Sequence, residues 1–365
     1  ISAAHRMDEQ QCVENLIAYA NLPQADHKHI QALGEKLVLG ARKAKQNQGG
    51  LDAFMIEYDL SSDEGITLMC LAEALLRIPD KLTMDRLIQD KICQADWRSH
   101  LKQSDSLFVN SATWGLLLTG KIINPRRDPS RVFTNAFKGL LNRSSEGSIR
   151  QAIRQAMKII GKQFVLGETI EAALKRGKKE QAKGYRYSFD MLGEAAKTDQ
   201  DAQYYLQSYM HAIDTIGKSN ATKNVTEGNG ISVKLSALHP RYEATQHPRV
   251  MTELYTRIHA LAVLAKKHQV GLTIDAEEVD RLEISLAVIE KLARDPDLKD
   301  WNGLGLALQA YQKRAFYVID WLCDLAKRSK RRFMVRLVKG AYWDSEIKLS
   351  QEFGYSGYPV FTRKP

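Results

Sequence analysis

The chain has 365 residues, of which 44% are hydrophobic, 26% charged and 8% aromatic, a composition that excludes disordered, fibrous and membrane-spanning classes. Charged residues interrupt every apolar run before it reaches the roughly 20 residues of a membrane helix, and the N-terminus lacks the apolar core of a signal peptide. The 53 lysines and arginines exceed the 43 acidic residues and give a net charge of +10, which favours anionic partners such as phosphates, carboxylates or acidic lipid headgroups.

The cysteines and histidines indicate neither a disulfide framework nor a metal site. The cysteines lie far apart without a C-x-x-C pair, which argues against a cysteine zinc site and is typical of a protein in a reducing cytoplasm. No histidine spacing is typical of metal ligation, so we expect no metal. The chain starts at Ile1 without a methionine, which indicates a processed protein or a piece of a longer one. The cysteines are Cys12, Cys70, Cys93 and Cys323.

Apolar residues recur at helical spacing from residue 8 to about 162, which predicts an all-helical region. Within it, a polar stretch at 41–50 ends in a Gly-Gly pair and indicates a linker. We therefore predict a helical arm at 1–45 and a separate helical domain at 46–164. The arm is a candidate for dimerisation because its apolar face needs a partner.

After about residue 165, short β-rich apolar runs alternate with long helical patterns, which is typical of α/β organisation. The predicted strands start 29 to 46 residues apart, a spacing that leaves room for a helix in each crossover and predicts a parallel sheet. The predicted strands are 185–191, 231–238, 271–277, 304–310 and 333–339. The predicted helices are 200–217, 247–268, 281–294, 313–328 and 345–353.

The fold class is accordingly α followed by α/β: a helical arm and helical domain, then an incomplete (β/α)8 barrel of the TIM type at 165–365. About five β/α units are visible, whereas a complete barrel needs about 250 residues. The barrel interpretation therefore predicts missing sequence. An open doubly wound sheet is the alternative, but no G-x-G-x-x-G follows the first strand and no P-loop is present.

Several charged or polar residues interrupt strands that should be apolar on both faces. An unpaired buried charge costs several kcal/mol, on the order of a protein's net stability, so these groups must be paired, hydrated or facing a ligand. One interpretation is an ion-pair network in the barrel interior, for example Lys234 and Arg336 against Asp275. The functional interpretation gains because four adjacent strands share the feature, and barrel enzymes place their sites at the carboxyl ends of the strands. These residues are Lys234, Asp275, Glu277, Gln309, Arg336 and Lys339.

Long strings of these segments resemble the bacterial proline utilization A family. The barrel strings are ISVKLSALHPRY at 231–242, IDAEE at 274–278, QAYQKR at 309–314 and RLVKGAYWD at 336–344. Upstream, CLAEALLRIPDK at 70–81 and YRYSFDMLGE at 185–194 are similar to the same family. The resemblance therefore covers essentially the whole chain.

The resemblance implies the proline dehydrogenase part of a bifunctional flavoenzyme. In the family, this part binds FAD, oxidises L-proline to pyrroline-5-carboxylate and passes electrons to membrane quinone, the first step of proline catabolism to glutamate. A further NAD-dependent domain oxidises glutamate semialdehyde, and some members bind DNA through a ribbon-helix-helix segment that is absent here. The implied protein is cytoplasmic, peripheral to the inner membrane during turnover, and a homo-oligomer.

The resemblance also implies roles for individual residues. Lys234 holds the substrate carboxylate, Arg336 lies by the reactive edge of the flavin, and Asp275 is close to the substrate pocket. Tyr342 also faces proline, and Glu194 belongs to a loop that gates the pocket by ion pairing. The residues implied to line the cofactor are Gln309, Arg336, Lys339, Gly340, Ala341, Tyr342 and Trp343.

The chemistry of proline oxidation agrees with those roles. Hydride departure leaves an iminium, so the amine must first lose a proton, while the acceptor gains negative charge. A fixed cation such as Arg336 stabilises that charge, and Lys234 orients the carboxylate. The family also uses a late barrel helix with an arginine pair and a glutamate, which this sequence does not contain. We therefore expect these residues alone to bind FAD poorly.

Two other function classes stay open. A strand lysine such as Lys234 or Lys339 is what a Schiff-base lyase on a barrel would use. A non-enzymatic module that binds nucleic acid or acidic membrane is the other class, through the basic runs at 175–179 and 328–332. No recognition-helix motif or aromatic stacking platform accompanies those runs.

Overall fold

The computed structural model describes residues 1–46, 83, 165–222 and 224–363. The chain divides into one unit of Ile1–Asn21 with Gly167–Pro365 and a second unit of Leu22–Leu166. The predicted helical domain at 46–164 lies almost wholly outside the described residues. The domain boundaries drawn from the sequence stay predictions.

The first unit is built on a parallel sheet of five strands in the order β1-β2-β3-β4-β5. Each strand thus pairs with its successor along the chain, whereas a doubly wound sheet reverses its order at a switch point. The prediction of five units of a TIM-like barrel is confirmed. The strands are β1 Ser188–Asp190, β2 Gly230–Val233, β3 Leu272–Ile274, β4 Leu304–Gln309 and β5 Met334–Val338.

Helices fill the crossovers between the strands, as the sequence pattern predicts. A helical turn at His247–Arg249 and a π-helical turn at Val250–Leu254 run directly into the helix that starts at Tyr255, so the predicted helix at 247–268 is one helical run. The helices of this unit are α1 Glu9–Ala20, α3 Ile170–Gln181, α4 Asp199–Ser219, α5 Tyr255–His268, α6 Leu282–Arg294, α7 Ala315–Ser329 and α8 Trp343–Glu352. In the second unit, α2 spans Gln24–Gln46.

Local sequence signals set several helix ends. A capping box starts α4, in which the Thr198 hydroxyl accepts from the Asp201 amide and the Asp201 carboxylate accepts from the Thr198 amide. Two other helices end on non-glycine residues in the left-handed conformation, Gln269 after α5 and Lys330 after α7. Side chains other than glycine adopt this conformation at a cost of about 1 kcal/mol.

The core lies between the sheet and its crossover helices. Ile231, Val233, Leu272 and Leu304 are all fully buried in the strands, which agrees with the near-continuous apolar runs of a covered parallel sheet. The helix faces that cover them contribute further fully buried side chains. These are Ile213 and Ile216 on α4, Ile258 and Leu261 on α5, Leu292 on α6, and Val318 and Leu325 on α7.

The last strand has exposed apolar side chains. Val335 and Leu337 on β5 are 46% and 63% exposed, and β5 has no second strand partner among the residues that the structure describes. In the second unit, α2 also exposes a set of large apolar side chains, which are Ile30, Leu33, Leu37, Val38 and Leu39. That α2 face belongs to the arm for which dimerisation is predicted.

Polar contacts link helix α5 to the turn after α6, near the amino ends of the strands. His259 on α5 places its Nε2 atom 3.4 Å from carboxylate oxygens of both Asp295 and Asp297. The Tyr255 hydroxyl donates to Asp295 at 2.6 Å. Burial raises the pKa of Asp295, but this bond, the Asp297 amide and His259 together outweigh burial and lower that pKa. Histidine spacing along the sequence gave no sign of this cluster, which links α5 to the turn after α6.

No helix in the described part of the chain is long and apolar enough to cross a lipid bilayer.

Candidate active site

Polar side chains collect at the carboxyl ends of the strands. Asp190 ends β1, Lys234 follows β2, Asp275 follows β3, Gln309 ends β4, and Arg336 lies within β5. The register places Val233 beside Ile274, so the residues that follow these two are neighbours across the ladder. Because all five strands run in the same direction, these polar groups lie along one edge of the sheet.

Four of the charged side chains form a continuous chain of ion pairs. The Lys234 ammonium donates to both carboxylate oxygens of Asp190, at 2.8 and 3.0 Å, and to Asp275 Oδ2 at 3.2 Å. Arg336 donates to the other oxygen of Asp275. Lys234 and Asp275 are largely buried, with side chains 15% and 12% exposed, whereas those of Asp190 and Arg336 are 51% and 44% exposed. The chain therefore runs from solvent through a buried centre to solvent again.

Asp190 is not among the site residues predicted from the sequence. It lies at the end of a predicted strand, and a charge at that place is the same signal that pointed to Lys234 and Asp275. The signal was weak because the preceding residues, Tyr185 to Ser188, are polar or aromatic and give the carboxylate no apolar background.

The environment of Lys234 keeps the lysine charged. Burial lowers the pKa of Lys234, but hydrogen bonds and charges from Asp190 and Asp275 outweigh burial and hold that pKa above its ordinary value. An amine must be neutral to attack a carbonyl group. The geometry thus argues against Lys234 as a Schiff-base nucleophile and supports it as a fixed cation that binds an anion.

A second cluster surrounds Gln309. Its amide nitrogen donates to the Glu277 backbone carbonyl at 2.8 Å, and its amide oxygen accepts from the Ala341 backbone amide at 3.1 Å. The Glu277 carboxylate is buried and accepts from the Ser236 amide at 3.1 Å and from Arg281 at 2.9 Å. Burial raises the pKa of Glu277, and the Ser236 contacts oppose that rise. Gln309 therefore ties the end of β3 to the backbone after β5.

The backbone after β5 makes a sharp turn over Tyr311. Gly340 has φ of +127°, and a Cβ at this position would lie 2.5 Å from the Tyr311 ring. The Tyr342 amide donates to the Tyr311 hydroxyl at 3.2 Å, and burial raises the pKa of that hydroxyl to about 12. Only glycine combines this conformation with this close approach. Tyr311 is a supporting residue that the sequence analysis did not single out.

Other predicted cofactor residues lie on or beside this turn. Lys339 and Ala341 are exposed, and Tyr342 is half-buried. Burial raises the pKa of Tyr342, and the nearby negative charge of Glu194 acts in the same direction. Glu194 itself is exposed, between β1 and α4. Glu194 and Tyr342 are thus within electrostatic reach of each other.

Trp343, the first residue of α8, lies on the inner side of the turn. Its indole nitrogen donates to the Phe361 carbonyl at 2.7 Å, and Trp343 packs against the buried cluster that Val279, Tyr311 and Val360 form. These contacts orient Trp343 toward the protein interior, where it supports Tyr311. The roles assigned to all these residues from the sequence stay predictions.

Comparison with known proteins identifies the family. A family model described as proline dehydrogenase matches residues 173–365, more than half of the chain. The chain belongs to the proline dehydrogenase family. A model described as the DNA-binding domain of proline dehydrogenase matches 50–164, and one described as the proline utilization A proline dehydrogenase N-terminal domain matches 1–42. The resemblance drawn from the sequence strings is confirmed.

Relatives that match over the whole chain are named as bifunctional proteins. The chain is 52% identical to bifunctional protein PutA from Klebsiella aerogenes and from Escherichia coli K12, over its whole length. It spans 28% of the length of each of these relatives. Among solved structures, a bifunctional proline utilization A protein is 44% identical with a TM-score of 0.69, over 99% of this chain and 36% of that one. Another, from Bdellovibrio bacteriovorus and inactivated by N-propargylglycine, is 26% identical with a TM-score of 0.55 over 60% of this chain and 25% of that one.

Proposed function

We propose that this chain forms the FAD-dependent proline-oxidising part of a longer bifunctional protein. The observation that carries the proposal is the chain of ion pairs at the carboxyl edge of the sheet, in a member of the proline dehydrogenase family. Barrel enzymes bind substrates at this edge. A solved structure of a proline utilization A protein, 44% identical to this chain, has proline bound in remote sites.

Lys234 is the proposed anchor for the substrate carboxylate. Its ammonium is oriented by two carboxylates, and its pKa ensures a full positive charge at neutral pH. A carboxylate ligand competes with the exposed Asp190 for this ammonium, because Asp275 is more deeply buried and also holds Arg336. Fixed charge of this kind positions a zwitterionic amino acid with its ring toward the adjacent edge of the site.

The residues after β5 are compatible with an anionic dinucleotide. Gly340 allows close backbone approach, and Lys339 offers an exposed cation. FAD, when bound, supplies the two-electron acceptor for the hydride of proline. Arg336, partly exposed and held by Asp275, stabilises the negative charge that develops next to it. In this proposal Tyr342 also faces proline, and Glu194 belongs to a loop that gates the pocket by ion pairing.

The wider setting is also part of the proposal. Electrons pass to a membrane quinone while the otherwise cytoplasmic protein associates peripherally with the membrane. The rest of the longer protein carries an NAD-dependent dehydrogenase that consumes the product. The arm mediates oligomerisation, and DNA binding belongs only to members that carry a ribbon-helix-helix segment.

Steady-state kinetics of the full-length protein that contains this chain tests the proposal. Lys234→Met should lower kcat/KM for proline by roughly a hundredfold, mainly through KM, because a charge-assisted hydrogen bond to the carboxylate is lost. Lys348→Met removes an exposed lysine from α8 and is the matched control. The wild-type protein should also lose its visible flavin absorption when proline is added without oxygen. A Lys234→Met variant with kcat/KM within threefold of wild type would overturn the assignment.

A further inference from the structure

The last residue of β4 and the five residues that follow it, called here the 309–314 loop, have two sides with different partners. On the site side, Gln309 and Tyr311 hold the 340–342 turn, through the amides of Ala341 and Tyr342. On the other side, the loop contacts the N-terminal segment, residues 1–21, more than 280 positions earlier in the chain. Both sides belong to the same unit of the structure.

Lys313 makes the central contact with the N-terminal segment. Its ammonium donates to the Met7 carbonyl at 3.0 Å and lies 3.7 Å from the Glu9 carboxylate, and its side chain is only 3% exposed. The Cys12 thiol lies 3.9 Å from the Lys313 carbonyl, which accepts from it. A lysine this deeply buried needs such partners, because an uncompensated ammonium is costly.

Glu9 extends the contact to the segment that follows α8. Its carboxylate accepts from the backbone amide and the hydroxyl of Thr362, at 2.9 and 3.0 Å. That segment is itself bonded to the loop, since the Phe361 amide donates to the Tyr311 carbonyl at 2.9 Å and the Lys313 amide donates to the Pro359 carbonyl at 3.1 Å. The loop is thus held by the N-terminal segment and by residues 359–362 together.

We propose that Lys313 is a positioning residue: it couples the N-terminal segment to the 309–314 loop and thereby fixes the 340–342 turn of the cofactor site. Lys313 is two residues after Tyr311 in the sequence, and the Tyr311 ring and hydroxyl support that turn. The consequence for catalysis rests on the proposed function, whereas the coupling itself does not. Without the N-terminal contacts, the loop loses the partners of its buried charge and the turn loses a rigid support.

Hydrogen exchange measured by mass spectrometry on the full chain tests the coupling without cofactor. Lys313→Met keeps the side-chain length in a buried position and removes the charge. Glu9→Gln is a second variant, which keeps a side-chain oxygen as acceptor for Thr362 and removes the negative charge near Lys313. Both variants should raise exchange at 339–343 roughly threefold to tenfold, along with exchange at 1–21, while β2 stays unchanged.

Tyr19→Ala is the matched control on the N-terminal segment. Tyr19 packs on Phe316 of α7 with ring centroids 5.0 Å apart, outside the 309–314 loop, so its loss should loosen the segment and leave 339–343 within twofold. If Lys313→Met loosens residues 1–21 but leaves 339–343 unchanged, the proposal is overturned. Equal loosening of 339–343 by Tyr19→Ala also overturns the assignment to Lys313.

FAD binding by the full-length protein supplies the functional readout. Lys313→Met should raise the Kd for FAD roughly threefold to tenfold and leave KM for proline within twofold, because Lys234 and its partners are untouched. A protein with only a structural role for Lys313 would lose thermal stability and keep the Kd. If the wild-type protein binds no FAD, the proposed function fails, and the exchange measurement still decides the coupling.

Discussion

The ion pairs at the site predict that burial, not bond length, sets how much each carboxylate contributes to the free energy of unfolding. Lys234 is closer to Asp190, at 2.8 Å, than to Asp275, at 3.2 Å. If distance decided the energy, Asp190→Asn would be the more damaging change. Asp190 is 51% exposed and Asp275 only 12%, so solvent screens the shorter pair far more strongly.

The magnitudes follow from these exposures. An ion pair with an exposed partner contributes about 0.2–1 kcal/mol, so Asp190→Asn should cost less than about 1 kcal/mol. Removal of one partner from a buried pair costs about 3–5 kcal/mol. Asp275 serves two cations, but Arg336 is 44% exposed, so we discount that range and expect Asp275→Asn to cost about 2–3 kcal/mol.

Native-state hydrogen exchange of the β2 and β3 amides, followed against urea, measures the free energy of opening for this unit alone. Asp324→Asn is a control, since Asp324 is 61% exposed and pairs with Arg328 on the surface of α7. It should resemble Asp190→Asn. A cost for Asp190→Asn equal to or above that for Asp275→Asn would refute the reasoning from burial.

Three further predictions concern the support of the site. Burial, with the charges of Arg314 and Arg6, lowers the pKa of His5 to about 4. The folded form therefore favours neutral His5. The free energy that holds residues 1–21 in place should be greatest above pH 6.5 and should fall as the pH decreases from 6.5 to 4. Hydrogen exchange corrected for intrinsic pH dependence checks this, and an identical pH slope in His5→Gln would contradict it. Lys330→Gly should raise the free energy of unfolding by about 0.5–1 kcal/mol because glycine adopts the left-handed conformation without strain; a loss measured by urea denaturation would argue the reverse. Gly340→Ala should destabilise the turn by about 2–3 kcal/mol, because alanine is strained at this positive φ and its Cβ would clash with the Tyr311 ring. If the variant retains as much FAD as wild type after purification, the 340–342 turn does not contribute to FAD binding as proposed.

The sequence predicted the order and direction of the strands but extended most of them too far. The predicted strand at 271–277 is observed as Leu272–Ile274, because the chain leaves the ladder at Asp275, where the polar residues begin. The alternation of short apolar runs with helical patterns is enough to predict the order and the parallel direction of the strands. The exact ends depend on hydrogen bonds to neighbouring strands, which no local window contains.

The sequence indicated part of the candidate site for a physical reason. Lys234, Asp275 and Arg336 stand out because each charge interrupts an apolar strand, and the fold places the three in one ion-pair chain. Tyr311 did not stand out, since an aromatic residue after a strand is ordinarily core. The link between Glu9 and Lys313 joins residues about 300 positions apart, and no periodicity or spacing reports such a contact.

A crystal structure of the full-length protein with a five-membered-ring carboxylic acid that lacks the amine would show whether Lys234 holds the substrate carboxylate. We predict that the ligand carboxylate lies within about 2.7–3.2 Å of the Lys234 ammonium, with its ring toward Tyr342 and Arg336. A ligand carboxylate bound elsewhere, with the ion pairs among Asp190, Lys234, Asp275 and Arg336 unchanged, would contradict this role for Lys234.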